Sequence, residues 1–245
     1  MKLAVLIALL FANSAYANGF DDLKAALAKM QGQSTLRGTY ELKEKKTDND
    51  KKTGPETVSA SMYVEDSPEG LQMRWDRALL KRAADESKGG VSITKVLPLN
   101  VLIRSVSATR MAGTVNYAPA FLQTLAMAQL KSERVEAWQG KPARLIELVI
   151  NEPDAEDAKL SVKENARLAR VWIGTDGAPL AASMTRKFKA KALVFMTIEG
   201  SNKEDYVFSV MGNRLVVLKR EEIGTNKGPG SDIDFHNVST FTPKA

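Results

Sequence analysis

A chain of 245 residues with 44% hydrophobic and 26% charged side chains has enough apolar material to bury a sizeable core. Cysteine is absent, which excludes disulfides, a thiolate nucleophile, a cysteine-ligated metal and an acylated cysteine anchor. The 35 basic and 29 acidic residues give a net charge of +6 spread along the chain, which reads as a solvated exterior or a contact with anionic headgroups and not as a nucleic-acid surface.

In chain order, Lys2, the apolar run Leu3 to Ala12 and Ala15-Tyr16-Ala17 predict a secretory signal over 1–17, cleaved near Ala17. The run falls short of the roughly 20 residues that span a bilayer, so cleavage is expected and not retention. The remainder, 18–245, is expected to form a single exported domain. Phe20, Leu23, Leu27 and Met30 fall at helical spacing, and Gly32 follows as a stop. Leu36 to Lys43 and Val58 to Val64 alternate as strands, separated by the charged stretch 44–55, which is expected to be a solvated hairpin loop. Leu71, Met73 and Trp75 predict a third strand.

The middle of the chain changes period. Residues 78–87 have helix-forming composition, Leu99, Leu102, Ile103 and Val106 repeat at i, i+3, i+4, i+7, and a further helix starts near Pro119 with Phe121, Leu122, Leu125 and Leu130 on one side. Strand character returns over 143–150, 167–173, 180–189, 193–199, 206–210, 214–220 and 233–240, with 151–164 read as a polar loop. Asp176-Gly177 and Gly212-Asn213 supply positive φ for tight hairpins. The predicted class is α+β: a curved antiparallel sheet, an incomplete barrel, with helices covering its concave face. Alternation alone leaves open whether the interior is a cavity or a packed core.

An inventory of chemistry points away from an enzyme. His236 is the single histidine, so a Ser-His-Asp mechanism rests on one residue, and the alternation of Asp232, Asp234 and His236 reads as an exposed strand face and not as a metal site. Asp154, Glu156 and Asp157 sit in a polar stretch with nothing apolar to raise a carboxyl pKa. Gly228-Pro229-Gly230 lacks the strand-before, helix-after setting of a phosphate-binding loop, and no cofactor is expected.

The apolar helices offer another use. If Leu99, Leu102, Ile103, Phe121, Leu125 and Met127 close over a sheet bearing Trp75, Trp172 and Phe195, the space between holds acyl chains without ionic contacts. The opening Phe20-Asp21-Asp22-Leu23-Lys24 through Leu27, with the strand Leu36 to Lys43, resembles the start of LolA-like periplasmic lipoprotein carriers. Met62-Tyr63-Val64, a turn with Pro68, and Leu71 to Trp75 are similar to that family's strand–turn–strand ending in tryptophan, and Val171 to Gly177 is similar to its Asp-Gly hairpin. The resemblance implies a half-barrel with a helical lid, a periplasmic location, a lipid or acylated lipoprotein as ligand, and an envelope protein or membrane receptor as partner. Two departures stand out: Asp66 occupies the place of a basic residue tied to the lid, and 78–130 is more helical than the carrier's middle. A scaffold or regulatory role on the same fold with a packed core is the rival expectation.

Overall fold

Asn18 begins the first helix by accepting a hydrogen bond from the Phe20 N–H at 3.0 Å, and Asp21 and Asp22 sit in the first turn, where the helix end is partly positive. The computed structural model describes residues 18–30, 32, 34–51, 54–88, 98–151, 160–192 and 196–244, so the predicted signal over 1–17 lies outside the described residues.

Helix α1 (Gly19–Ala28) leads into a hairpin series β1 (Leu36–Asp48), β2 (Glu56–Ser67) and β3 (Gly70–Trp75). Four helices follow: α2 (Arg77–Lys88), α3 (Leu99–Ser105), α4 (Ala108–Val115) and α5 (Ala118–Ala126). Seven strands complete the chain: β4 (Ala128–Val135), β5 (Arg144–Ile150), β6 (Leu160–Ile173), β7 (Pro179–Ala192), β8 (Met196–Met211), β9 (Arg214–Gly228) and β10 (Ser231–Lys244). All ten strands form one open, curved antiparallel sheet in the order β3-β2-β1-β10-β9-β8-β7-β6-β5-β4. Two meanders are thus joined by the first and last strands. Because β3 and β4 are the opposite edges, the helical segment between them must cross from one edge of the sheet to the other.

Tight turns keep the later strands in sequence. Gly212 and Asn213 take φ of 51° and 63°, the left-handed pair that matches the twist of a two-residue hairpin. Gly177, at φ 79°, does more: a Cβ there would stand 2.8 Å from the Asp22 carbonyl oxygen, so its bare backbone lets the β6–β7 turn press on α1.

The register carries one face across the sheet in the row Ala60, Leu42, Ser239, Arg220, Tyr206, Ala182, Val171, Ile146 and Glu133. The helices pack on this face. Phe20, Leu23 and Leu27 of α1 and Ala118, Phe121 and Leu125 of α5 join strands β5 to β9 in a first apolar cluster. Leu79, Leu102, Met111 and Val115 join β1, β2 and Phe241 in a second.

The two clusters meet where the sheet splits. Strand β9 pairs β10 only as far as Lys219, so Arg214 to Leu218 keep a single partner strand, β8. The free edge is met by the α4–α5 junction, whose Tyr117 N–H donates to the Leu215 carbonyl at 2.7 Å. Leu215 and Val217 belong to the first cluster and Val216 to the second. Arg214, almost wholly buried, donates to the Ser34 carbonyl at 2.6 Å and pairs with Asp66. The acidic residue at the position noted above therefore holds a buried arginine of β9.

Several boundaries differ from the sequence reading. The charged stretch after Lys43 continues as strand to Asp48, because β10 and β2 supply ladder partners and alternate charges face solvent. Residues 196–211 form one strand instead of two, and β6 starts at Leu160, within the stretch read as a loop. Strand β4 and helix α4 had no separate reading. Leu130 lies in β4, not in the helix, since α5 ends at Ala126 and β5 then provides an edge to pair with.

Candidate functional site

Helix α3 sets Leu99, Leu102 and Ile103 on one side by its i, i+3, i+4 spacing. Its start is tied to α2: the Leu99 N–H donates to Glu86 at 2.7 Å, and Asn100 donates to the Ser87 hydroxyl at 2.8 Å. Helix α3 packs on β2 and helix α4 meets β3, the two strands of a hairpin in which Met62 pairs Trp75, Val64 pairs Met73 and Asp66 pairs Leu71. Leu102, Ala60, Met62 and Val64 are buried and form the floor of this region. Around them Val58, Leu71, Met73, Trp75, Leu99 and Ile103 remain half-buried. Four predicted residues, Trp75, Leu99, Leu102 and Ile103, thereby belong to one apolar cluster, with Leu102 buried in it and the other three half-buried against it.

Phe121 and Leu125 belong instead to the closed first cluster. Tyr117, Phe121, Tyr206 and Phe208 form an aromatic group there with ring centroids 5.4 to 5.8 Å apart, within the range that favours offset stacking. Met127, just past α5, is partly exposed and takes no place in either cluster.

Beyond the aromatic group the same sheet face turns ionic. Arg220 lies 3.0 Å from Glu204 and 3.3 Å from Glu222; Asn202 donates to both carboxylates, at 3.1 and 3.3 Å. The Tyr206 hydroxyl donates to Glu204, linking rings to charges. Burial is the largest influence on Glu204 and opposes its ionisation. The Arg220 charge, hydrogen bonds from Tyr206 and Arg220, and the Arg167 charge together hold its carboxyl below the ordinary 4.5. Burial acts the same way on Tyr206 and pushes its phenol well above 10, so it stays a neutral donor. On Arg220 burial works against the charge, and the surrounding acids outweigh it and raise its pKa.

Trp172 lies on the other face of the sheet. Its neighbours Val171 and Ile173 join the helix-covered cluster, whereas its own ring packs with Leu145, Ala181 and Trp138. The indole N–H donates to Glu136 at 3.0 Å, and that hydrogen bond is the foremost reason the Glu136 carboxyl is held below its ordinary range. Phe195 lies outside the described residues. His236 sits 2.8 Å from Glu221, on the helix-free face, while Asn49 donates to both Asp232 and Asp234. Among the described residues no group of three or more His, Asp or Glu is arranged to hold a metal ion.

The sequence reading did not single out Val58, Leu71 and Met73 as site residues, nor Tyr117, Glu204, Tyr206, Phe208, Arg220 and Glu222. A signal was present for some of them: Glu204, Tyr206 and Phe208 at i, i+2, i+4 must share a strand face. Nothing local told which face the helices cover.

No protein-family model matches the chain, and no curated protein matches it. Among solved structures, the LolA superfamily protein NE2245 from Nitrosomonas europaea is similar at 9% identity and a TM-score of 0.31, over 92% of this chain and 92% of that one. MucB, solved in complex with MucA(peri), is similar at 10% identity and a TM-score of 0.23, over 91% and 93%. Similarities this loose say nothing of ligand, partner or activity.

Proposed function

We propose that the protein is a non-enzymatic periplasmic binding protein that shelters an acyl chain or a similar apolar ligand between its helices and the concave face of its sheet. The observation that carries this reading is the half-buried apolar rim of the second cluster, on α3 and the hairpin β2–β3. Six apolar side chains, Val58, Leu71, Met73, Trp75, Leu99 and Ile103, pack against the buried second cluster and stay half in water. Covering them with a ligand removes that surface from solvent, at roughly 0.8 kcal/mol for each methylene buried. Ligand entry would part α3 from the hairpin, with the closed first cluster and α1 staying in place.

Lipid extraction and mass spectrometry of the protein purified from its native envelope test the reading, together with titration by a fluorescent fatty-acid probe. A stoichiometric lipid displaced by the probe, with Leu99→Asp abolishing both, is the expected result. An empty protein that ignores the probe overturns it. In that case the rival, an envelope scaffold with a packed interior and a protein partner, gains ground. The rival already draws support from the first cluster, in which Leu23, Phe121, Ile146, Val171 and Leu215 have no exposed surface.

A further inference from the structure

The helix-free face carries a hollow of about 520 Å³ whose floor follows from register alone. Two neighbouring transverse rows cross the same five strands, β1, β10, β9, β8 and β7. One reads Lys45, His236, Ile223, Lys203 and Thr185, the other Thr47, Asp234, Thr225, Ser201 and Lys187. The hollow thus presents an ammonium group and a hydroxyl on each flank, Lys45 with Thr47 and Lys187 with Thr185, two further hydroxyls between them, and one exposed apolar side chain, Ile223, near the centre.

The charges are unequally used. Lys203 is paired with Asp205 at 2.7 Å, His236 with Glu221 at 2.8 Å, and Asp234 accepts from Asn49 at 3.0 Å. The side chains of Lys45 and Lys187 have neither an ion pair nor a hydrogen bond among the described residues. Four strand spacings of about 4.8 Å separate β1 from β7, so these two cations stand up to roughly 19 Å apart across the sheet. The Ser201 and Thr225 hydroxyls approach to 3.3 Å between them and each offers both donor and acceptor capacity.

We propose that this hollow binds an acidic glycan. Sugar hydroxyls match a floor of Thr47, Thr185, Ser201 and Thr225, the apolar face of a sugar ring rests on Ile223, and carboxylate or phosphate groups along the chain reach Lys45 and Lys187. An extended peptide fits less well, because the floor's backbone groups are consumed in the strand ladder and none is left to pair with a peptide backbone. The hollow lies on the face opposite the second apolar cluster and shares no residue with it.

The test is fluorescence anisotropy of labelled oligogalacturonate with the purified protein, run beside a neutral malto-oligosaccharide, oligoglutamate, and vesicles containing phosphatidylglycerol. Binding of the acidic glycan is expected to weaken with salt and to fall roughly tenfold for each of Lys45→Ala and Lys187→Ala, with the double variant as cooperatively folded as the parent. Thr225→Val is expected to weaken it as well, through the hydroxyl and not the charge. Absence of binding, an unchanged affinity in the double lysine variant, or an equal affinity for oligoglutamate or the vesicles overturns the proposal.

Discussion

The two apolar clusters beneath the helices are built from the same residue types and differ in closure. In the first, α1 and α5 lie over the centre of five strands, and the aromatic rings of Tyr117, Phe121, Tyr206 and Phe208 pack against one another with an ionic network at their border. In the second, the short helices α3 and α4, with Leu79 of α2, lie on the three-stranded edge of the sheet, and six apolar side chains stay half-buried at the rim. An edge strand has a neighbour on one side only, which leaves the apolar residues of β3 half-buried. The first region is the more completely covered of the two, and the half-buried side chains of the second are where the proposed ligand would bind.

Mutation should separate the two regions. The largest effect is expected from Phe121→Ala, which leaves a cavity among stacked rings and should cost about 3–5 kcal/mol in urea unfolding. A mild effect there would mean that the first cluster is looser than its burial implies. Next comes Glu204→Gln, which removes the partner of Arg220 and Tyr206; a loss of about 2–3 kcal/mol is expected.

The same carboxylate gives the comparison a pH dependence. Its pKa is lowered in the folded state, so its contribution is fully present above the unfolded value, near 4.5, and is lost as pH falls from there through the folded value. Denaturation curves between pH 7 and pH 3 should fall more steeply for the parent than for Glu204→Gln. Parallel curves would assign acid sensitivity to other groups.

Smaller effects on stability are expected at the rim, with larger ones on binding. Leu99→Ala and Ile103→Ala should each cost about 1 kcal/mol of stability while weakening a fatty-acid probe severalfold. Equal losses of stability and no loss of binding would dissolve the distinction between the clusters. Smallest of all, Trp172→Phe should leave probe binding unchanged, since that ring lies on the opposite face; Trp75→Phe should instead remove most of the fluorescence change on ligand addition.

How far the sequence could be read depended on whether a signal was local. The alternation in Leu71, Met73 and Trp75, the helical spacing in Leu99, Leu102 and Ile103, and the left-handed pair Gly212-Asn213 each carry their own period or backbone preference, and all appear as expected. Strand β4 went unread because Ala128 to Val135 mixes apolar and charged residues without a clean period and pairs only through the edge that β5 offers. The charged end of β1 was hidden for a related reason: lysines and glutamates resemble a loop until partners on both sides give their backbone groups a ladder.

What the sequence by itself determined is therefore most of the elements, though not β4 or α4, the cysteine-free and mildly basic character, and the apolar residues available to a site. Tertiary structure alone decided which of those residues meet. The pairing of β1 with β10 places two meanders in one sheet, and through that long-range register Trp172 turns away from Phe121, Trp75 joins Leu99, and Lys45 stands across a hollow from Lys187. A strand's period of two states that successive side chains part company; only the neighbours on either side state what each will face.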